Sequence, residues 1–539
     1  MRSESHTGQA TRAFLTVALL IAPGYSLITE DIDVVWTISG DTALTAFGAS
    51  LASGDVNGDG IPDILVASDS LDWEQSGYRG MVYIYYGSHV GSAVPDVILR
   101  SPMLKGSNTP RLACGDLNGD GYADIAMGED MADDAYGICT IWMGGNPIDT
   151  IPHCVIHGRY WWLEAHYGCD VSIGDLNGDG YNDLLVGAYY SAQQPGQFGR
   201  GRAYAYYGRP DGVDTIPDVT LLGGHDGERE GFGMGVSAEG DFDHDGFHDL
   251  YIGAWVYGSD ARGRMYVYYG GNPMDTSYDM AMSGEGAGQK LGFDKPGALT
   301  TQSGFDYAVE GCELWSDPGG SQRGKVYIHV GGRPMDSIPD ISLIGPQDCD
   351  LGVSAQSAGD ATGDGNDDLV AGAPSVHPPS TAGAAYLWET GAHFDTVPDA
   401  WMFGESEWQL VGFRTSTAGD LDGDGRSEFM VSNYPSDEPT YVWVCKYTGS
   451  GVEETPNAGV RTTNRRATVV RYILYLPPAS GVGLQTSSVL LDISGRKVLD
   501  LQPGTNDVRG LAPGVYFVRE EPQAASLQSQ AIRKVVVTR

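Results

Sequence analysis

The sequence predicts an all-β chain: a seven-bladed β-propeller closed by an N-terminal strand, followed by a small C-terminal β-sandwich. Three observations predict it. An acidic nine-residue loop is written six times, about sixty residues apart with one double gap. Around each copy lie four short apolar segments separated by Gly-rich turns. Inside the double gap the same strands recur without the acidic residues. Self-similarity at a fixed period marks a repeat array, and four-stranded repeats arranged radially leave only short edges.

Residues 1–30 read as a signal peptide and leader. Arg2 and Arg12 precede an apolar run over 13–22, and Pro23-Gly24 follows, which is the order of an export signal. The run is too short to span a bilayer well, so no transmembrane segment is expected in the mature chain. Cleavage is expected within about residues 22 to 30. The propeller is expected over 31–448, a linker over 449–466 and the sandwich over 467–539. Residues 33–40 resemble the fourth strand of a repeat without its first three, and the last repeat stops after its third strand, Tyr441-Val-Trp-Val444. The N-terminal strand therefore completes that blade and covers an open edge.

Each repeat has the same internal order. A Phe-Gly or Tyr-Gly pair (Phe47-Gly48, Tyr167-Gly168, Phe232-Gly233) leads into a short strand, then the acidic loop, then an apolar strand ending in Gly-Ala, as at Gly187-Ala188, Gly253-Ala254 and Gly372-Ala373. An alternating aromatic strand closed by Gly comes third, as in Tyr204-Ala-Tyr-Tyr-Gly208. Pro-Asp opens the fourth, as at Pro217-Asp218 and Pro339-Asp340. Such short runs between Gly-rich turns read as antiparallel strands. In the double gap, Leu291-Gly292, Phe305-Asp306 and the strand at Val326 keep the register without the ligands, so that blade is expected to hold no metal.

The loop chemistry points to a hard cation. Calcium takes six to eight oxygens at flexible geometry, so a short loop must turn sharply and aim alternate side chains inward. In the first copy positions 1, 3, 5 and 9 are Asp55, Asn57, Asp59 and Asp63, with the carbonyl of Ile61 at position 7. The second and third use Asp116, Asn118, Asp120, Tyr122 and Asp124, then Asp175, Asn177, Asp179, Tyr181 and Asp183. The fourth uses Asp241, Asp243, Asp245, Phe247 and Asp249. The last two carry substitutions: Asp360, Thr362, Asp364, Asn366 and Asp368, then Asp420, Asp422, Asp424, Arg426 and Glu428. Up to six structural Ca²⁺ sites are expected. Asp and Gly also form metal-free turns, but the alternating ligand spacing carries a mechanism that turn propensity does not. An EF-hand is excluded, because a buried strand follows each loop where a helix would be required.

Phe-Gly, the acidic loop and Gly-Ala-Pro together resemble the FG-GAP repeat of the integrin α-subunit propeller and its bacterial relatives, over roughly residues 31 to 448. The resemblance implies a calcium-binding propeller with its metal sites on the underside, at the positions just named. It implies no integrin receptor, since no Arg-Gly-Asp occurs and no other integrin domain is evident.

The formal net charge is −39, with −43 before residue 451 and +4 from there onward. Such acidity argues against nucleic acid as a partner. Six Ca²⁺ would bring the chain to −27 from −39. Without metal the crowded carboxylates repel one another, so calcium is expected to stabilise the fold directly. The seven cysteines are too scattered for a disulfide framework. They read as small buried side chains, with one or two pairs allowed in an exported protein.

Beyond the linker, Thr468-Val-Val, Val489-Leu-Leu-Asp-Ile-Ser-Gly495, Gly514-Val-Tyr-Phe-Val and Lys534-Val-Val-Val alternate like a small sandwich. The segments Asp492-Ile-Ser-Gly-Arg-Lys and Gly510-Leu-Ala-Pro-Gly-Val-Tyr-Phe-Val-Arg resemble the type A C-terminal sorting domain of the type IX secretion system. That resemblance implies that machinery as a partner and the bacterial cell surface, or release from it, as the destination. An ordinary accessory β-domain is the other reading.

The face opposite the acidic loops gathers Trp73, Tyr160, Trp161, Trp162, Tyr189, Tyr190, Trp255, Tyr257 and Trp315. Aromatics on a shared face can stack on sugars or anchor a protein, or they can pack neighbouring blades. Glu164, His166 and His377 lie in the same loops, but no motif pairs them, and no nucleophile, zinc or phosphate-loop signature occurs. No catalytic residue is assigned. The absence of a catalytic signature favours a secreted or cell-surface, non-catalytic protein for adhesion or capture of a protein or glycan. A secreted carbohydrate-active lyase or hydrolase is the alternative.

Overall fold

The computed structural model describes residues 27–449 except for loop segments 41–43, 73–76, 104–108, 159–164, 192–198, 225–229, 303, 347–348, 376–381, 392–393, 407 and 435–439, together with the strands of the tail between 468 and 537. Seven antiparallel sheets follow one another in chain order. The third is representative: Tyr167–Gly174, Asp183–Ala188, Arg202–Tyr206 and Val219–Leu222 pair in sequence order. The chain is a seven-bladed β-propeller.

Each blade is buried on both faces, so its second strand is apolar throughout and not alternating, as in Asp183–Ala188 and Asp249–Ala254. The core is divided accordingly. Seven apolar clusters each join two neighbouring blades, including one that joins the last blade (Trp36, Met430, Val444) to the first (Phe47, Ile64, Tyr83). Close approach there depends on paired glycines. A Cβ on Gly187 of the third blade would strike the carbonyl of Gly233 in the fourth, and Gly128 and Gly168 meet in the same way. The Gly of one Gly-Ala pair thus packs on the aromatic-Gly pair of the next blade, where no side chain fits.

The Pro-Asp motif has a defined task. Asp96, Asp218, Asp340 and Asp399, and Asp279 where Tyr278 stands in place of the proline, each accept the N–H that ends the preceding third strand at 2.8 Å. The carboxylate therefore fixes the hairpin that feeds the outer strand.

At the ends of the ring, Ile32–Ser39 pairs antiparallel with Tyr441–Tyr447 as the outer strand of the seventh sheet. Leu27–Glu30, within the segment expected to be leader, pairs with Ala400–Gly404 and gives the sixth sheet a fifth strand. The tail forms a five-stranded sheet that includes one parallel pair, Thr468–Val470 with Ile532–Val537, and a separate two-stranded ladder. All seven cysteines are free thiols, five of them buried.

Candidate metal centres

Every acidic loop joins the first strand of its blade to the second, at one end of the ring. Its first residue acts as a hub. Asp55 Oδ1 accepts the N–H groups of Gly58 and Asp59, at 2.7 and 3.1 Å, and Oδ2 accepts that of Gly60 at 2.8 Å. Asn57 Oδ1 then takes Asp59 N–H at 2.9 Å, and Asp59 Oδ1 takes Ile61 N–H at 3.0 Å. Asp116, Asp175, Asp360 and Asp420 repeat the hub, each receiving the N–H of the two loop glycines. These bonds pull positions 1, 3 and 5 into one tight turn. The loop glycines make it possible: Gly58 and Gly60 sit at φ +74° and +86°, where a side chain is strained. In the fourth loop His244 replaces the first of them and keeps a φ of +59°, a conformation His tolerates better than most residues.

Position 9 is buried, and its oxygens are committed to the backbone. Asp183 Oδ2 accepts Leu176 N–H at 2.9 Å from its own loop, and Oδ1 accepts Gly208 N–H at 2.8 Å from the end of the third strand. Asp63, Asp124 and Asp249 make the same pair of bonds. Asp368 receives Thr362 and Thr390, and Glu428 receives Leu421. Burial pushes these carboxyls up, to about 7 for Asp63 and Asp183, about 6 for Asp124, and about 8 for Asp249 and Asp368. In Asp124, Asp183 and Asp249 each oxygen retains a further lone pair, so the residue can pin the blade and still offer a ligand, whereas both Asp63 oxygens also accept from Asn57 Nδ2 at 3.1 Å.

Consecutive loops are tied together. The position-1 carbonyl of each accepts the N–H of position 8 in the next blade, as in Asn182 to Asp116 at 3.2 Å and His248 to Asp175 at 2.8 Å. The double-gap blade takes part with Thr300 at position 1, whose carbonyl receives Asp367 N–H at 2.9 Å. Between the last blade and the first, position 8 is Pro62, which has no N–H to give. Position 7 contributes its side chain as well: the Tyr122, Tyr181 and Phe247 rings lie on the position-4 glycines of the preceding loops, Gly58, Gly119 and Gly178.

The donor set was tested for a cation on its own geometry. In the fourth loop Asp241, Asp243 and Asp245 bring carboxylate oxygens within 4.8 Å of one another, and Asp420, Asp422 and Glu428 do so in the sixth. Asp243 is buried, with neither side-chain oxygen hydrogen-bonded, and its carboxyl is pushed up to about 6 by burial and by Asp245. A buried carboxylate among like charges is costly, and a bound cation would relieve it. Glu428 Oε1 and Thr362 Oγ1 are also buried without a hydrogen bond. These residues fit a hard divalent ion.

Two side chains that the loop motif does not reveal bear on the same oxygens. Lys446, on the third strand of the last blade, places Nζ against Asp422, 2.8 Å from Asp424 Oδ2 and 3.4 Å from Glu428 Oε1. Arg333, from the fifth blade, puts Nη1 2.8 Å from Asp243 Oδ2 and 3.0 Å from Asp245 Oδ2. Among the described residues no lysine or arginine pairs with the acids of the first three loops. Only the spatial neighbourhood shows these cations, since Arg333 is 88 residues from Asp245.

On the opposite face, Trp73, Tyr160, Trp161, Trp162, Glu164 and His377 lie outside the described residues. The described aromatics link consecutive blades. His166 stacks on Tyr189 at 4.8 Å, Tyr189 meets Trp255 edge-on at 6.3 Å, and Trp255 meets Phe293 at 5.4 Å. Trp315 is buried and donates to Glu285 Oε2 at 2.9 Å, while Tyr257 lies under Arg264. His166 Nδ1 lies 3.2 Å from Asp130 Oδ2.

A family model described as FG-GAP-like repeat matches residues 55–127, and one described as FG-GAP repeat matches residues 170–206. The chain is 30% identical over 201 residues to integrin alpha-5 of Xenopus laevis, covering 36% of this chain and 18% of that protein. It is 34% identical over 105 residues to integrin alpha-3 of Mus musculus, covering 20% and 9%. With integrin alpha-V of Gallus gallus the identity is 30% over 223 residues, covering 39% and 20%. The chain thus spans a fifth or less of the length of these curated relatives. Residues 55–127 and 170–206 are thus similar to FG-GAP repeats, and the architecture that holds them is a seven-bladed β-propeller. Among the described residues no helix is long and apolar enough to cross a membrane.

Proposed function

We propose that the chain is a calcium-stabilised, non-catalytic binding propeller that works outside the cell, in adhesion or in capture of a protein or glycan. The observation that carries the calcium part is the buried carboxylate of Asp243, whose oxygens make no hydrogen bond and lie within 4.8 Å of those of Asp241 and Asp245, with Arg333 as its ion-pair partner. Similarity to integrin alpha chains supports the extracellular binding role. In this reading the six loops hold up to six ions through the position 1, 3, 5 and 9 side chains and the position 7 carbonyl. Calcium supplies charge neutralisation there and no chemistry. The strand Ile32–Ser39 closes the ring, the export signal is cut before Leu27, and the tail from 467 is a sandwich that serves type IX secretion to the outer surface.

A glycan array read beside a polysaccharide turnover screen tests the role. Binding without product release is the expected result. Released products would replace this reading with the secreted lyase or hydrolase.

A further inference from the structure

The first strands of the blades enclose an axial cavity of about 210 Å³, whose wall carries the charged side chains Arg111, Asp170, Glu239, Lys295 and Arg414. Arg111 and Arg414 open their strands, Arg111–Gly115 and Arg414–Gly419. The acidic loops follow the far ends of the same strands, so these cations lie toward the other end of the axis. The cations are not equally satisfied. Lys295 Nζ donates to Glu239 Oε1 at 3.2 Å. Arg414 spends its donors on carbonyls, Nε to Ala49 at 3.2 Å and Nη1 to Phe413 and Val353 at 3.0 and 3.3 Å. Arg111, part-buried in the wall, has no hydrogen-bond or ion-pair partner among the described residues.

A part-buried guanidinium with nothing to donate to is costly unless water or a ligand meets it. Asp170 and Asp294 act on it through space without a direct contact. Asp170 Oδ2 is taken by Val236 N–H at 2.9 Å. Asp294 is pushed up by burial and by Glu313, against the pull of Arg414 and Arg111. Arg414 is pushed down to about 10 by burial and by Arg111, with Asp294, Glu313 and Asp170 acting in the opposite direction. Further along the wall, toward the acidic loops, lie the hydroxyls of Ser53, Ser357 and Thr417; Ser53 Oγ donates to the Thr417 carbonyl and Ser357 Oγ to Asp367, which leaves them as acceptors.

We propose that the axial cavity binds a small hydroxyl-rich carboxylate of the size of a uronic acid monosaccharide, with its carboxylate on the Arg111 guanidinium. The planar fork of arginine matches a carboxylate through two parallel hydrogen bonds. A cavity of about 210 Å³ has room for one sugar ring. The serine and threonine hydroxyls would pair with those of the sugar.

This proposal rests on the binding reading above and names a ligand for it. Titration calorimetry on the intact, calcium-loaded protein tests it, with glucuronate as probe and glucose as neutral control. One glucuronate per chain should bind, and glucose should not. Arg111→Gln should weaken glucuronate at least about tenfold with an unchanged melting temperature. Should Arg111→Gln fail to fold, Arg111→Lys keeps the charge, removes the fork and should still lose affinity. No glucuronate binding to the wild-type protein, or unchanged affinity in the variant that folds, would overturn the proposal. Metal content and turnover, measured on the same sample, test the earlier reading, so the two failures are read separately.

Discussion

The third and sixth loops share one ligand pattern and one turn, but different groups stand over them. Over the third, the Phe247 ring lies on Gly178, and His248 Nδ1 accepts the N–H of Asp175 at 3.2 Å. Over the sixth, the Lys446 ammonium touches three carboxylates, and those partners raise its pKa. One loop is left to find its cation in solution; the other has a lysine within reach. The difference teaches that a loop motif specifies donors, while side chains from outside the loop decide how much negative charge remains for a metal.

The comparison can be broken most forcefully by removing calcium. At a free concentration one hundred times Kd, each ion is worth about 2.7 kcal/mol, so a chelator should lower the melting temperature steeply, and excess Ca²⁺ should restore it. An unchanged melt would leave the loops as turns that need no metal.

Next in size is the division of labour inside one loop. Asp183→Ala strands the N–H groups of Leu176 and Gly208, at about 3 kcal/mol for the pair, and urea unfolding in chelator should show that loss. Asp179→Ala, at an exposed position, should cost less than about 0.5 kcal/mol in chelator but remove about one bound ion when calcium is present. Equal losses in chelator would dissolve the distinction between pin and ligand.

The pH dependence should come next. Asp63, Asp183, Asp249 and Asp368 titrate near 7 to 8 in the metal-free fold, against about 3.9 when unfolded. Between those values the folded state holds protons that the unfolded state has shed, so metal-free stability should fall as pH rises from about 4 to about 8. Thermal melts in chelator should follow that slope. In saturating calcium, which favours the ionised carboxylates, the slope should flatten or reverse.

The smallest expected effect sharpens the comparison itself. Lys446→Met should tighten Ca²⁺ at the sixth loop by about tenfold by removing a competing charge, and calorimetry should resolve the change. The same substitution should leave the third loop as it was, since Lys446 touches none of its acids.

Much of the propeller was legible because each blade repeats a local rule. The aromatic-Gly pair, the Gly-Ala pair and Pro-Asp each solve one packing or hydrogen-bonding problem, and each recurs in sequence order. The ligand set was legible for the same reason: alternate acids with glycine between them force a tight turn. What stayed hidden depends on residues that meet only when strands pair or blades pack. Asp183 reads as a ligand in sequence, whereas its bond to Gly208, 25 residues on, makes it also a structural pin. Lys446 and Arg333 carry no local signal as neighbours of acidic loops. Nor does Arg111, which reads as one more strand residue until seven first strands close around it.

Calcium analysis of the purified, folded protein after equilibration with buffered Ca²⁺ tests the central claim most directly. The account predicts several tightly held ions per chain, up to one for each of the six acidic loops, lost together with thermal stability on chelation. A folded protein that retains no calcium and melts at the same temperature without it would contradict the account.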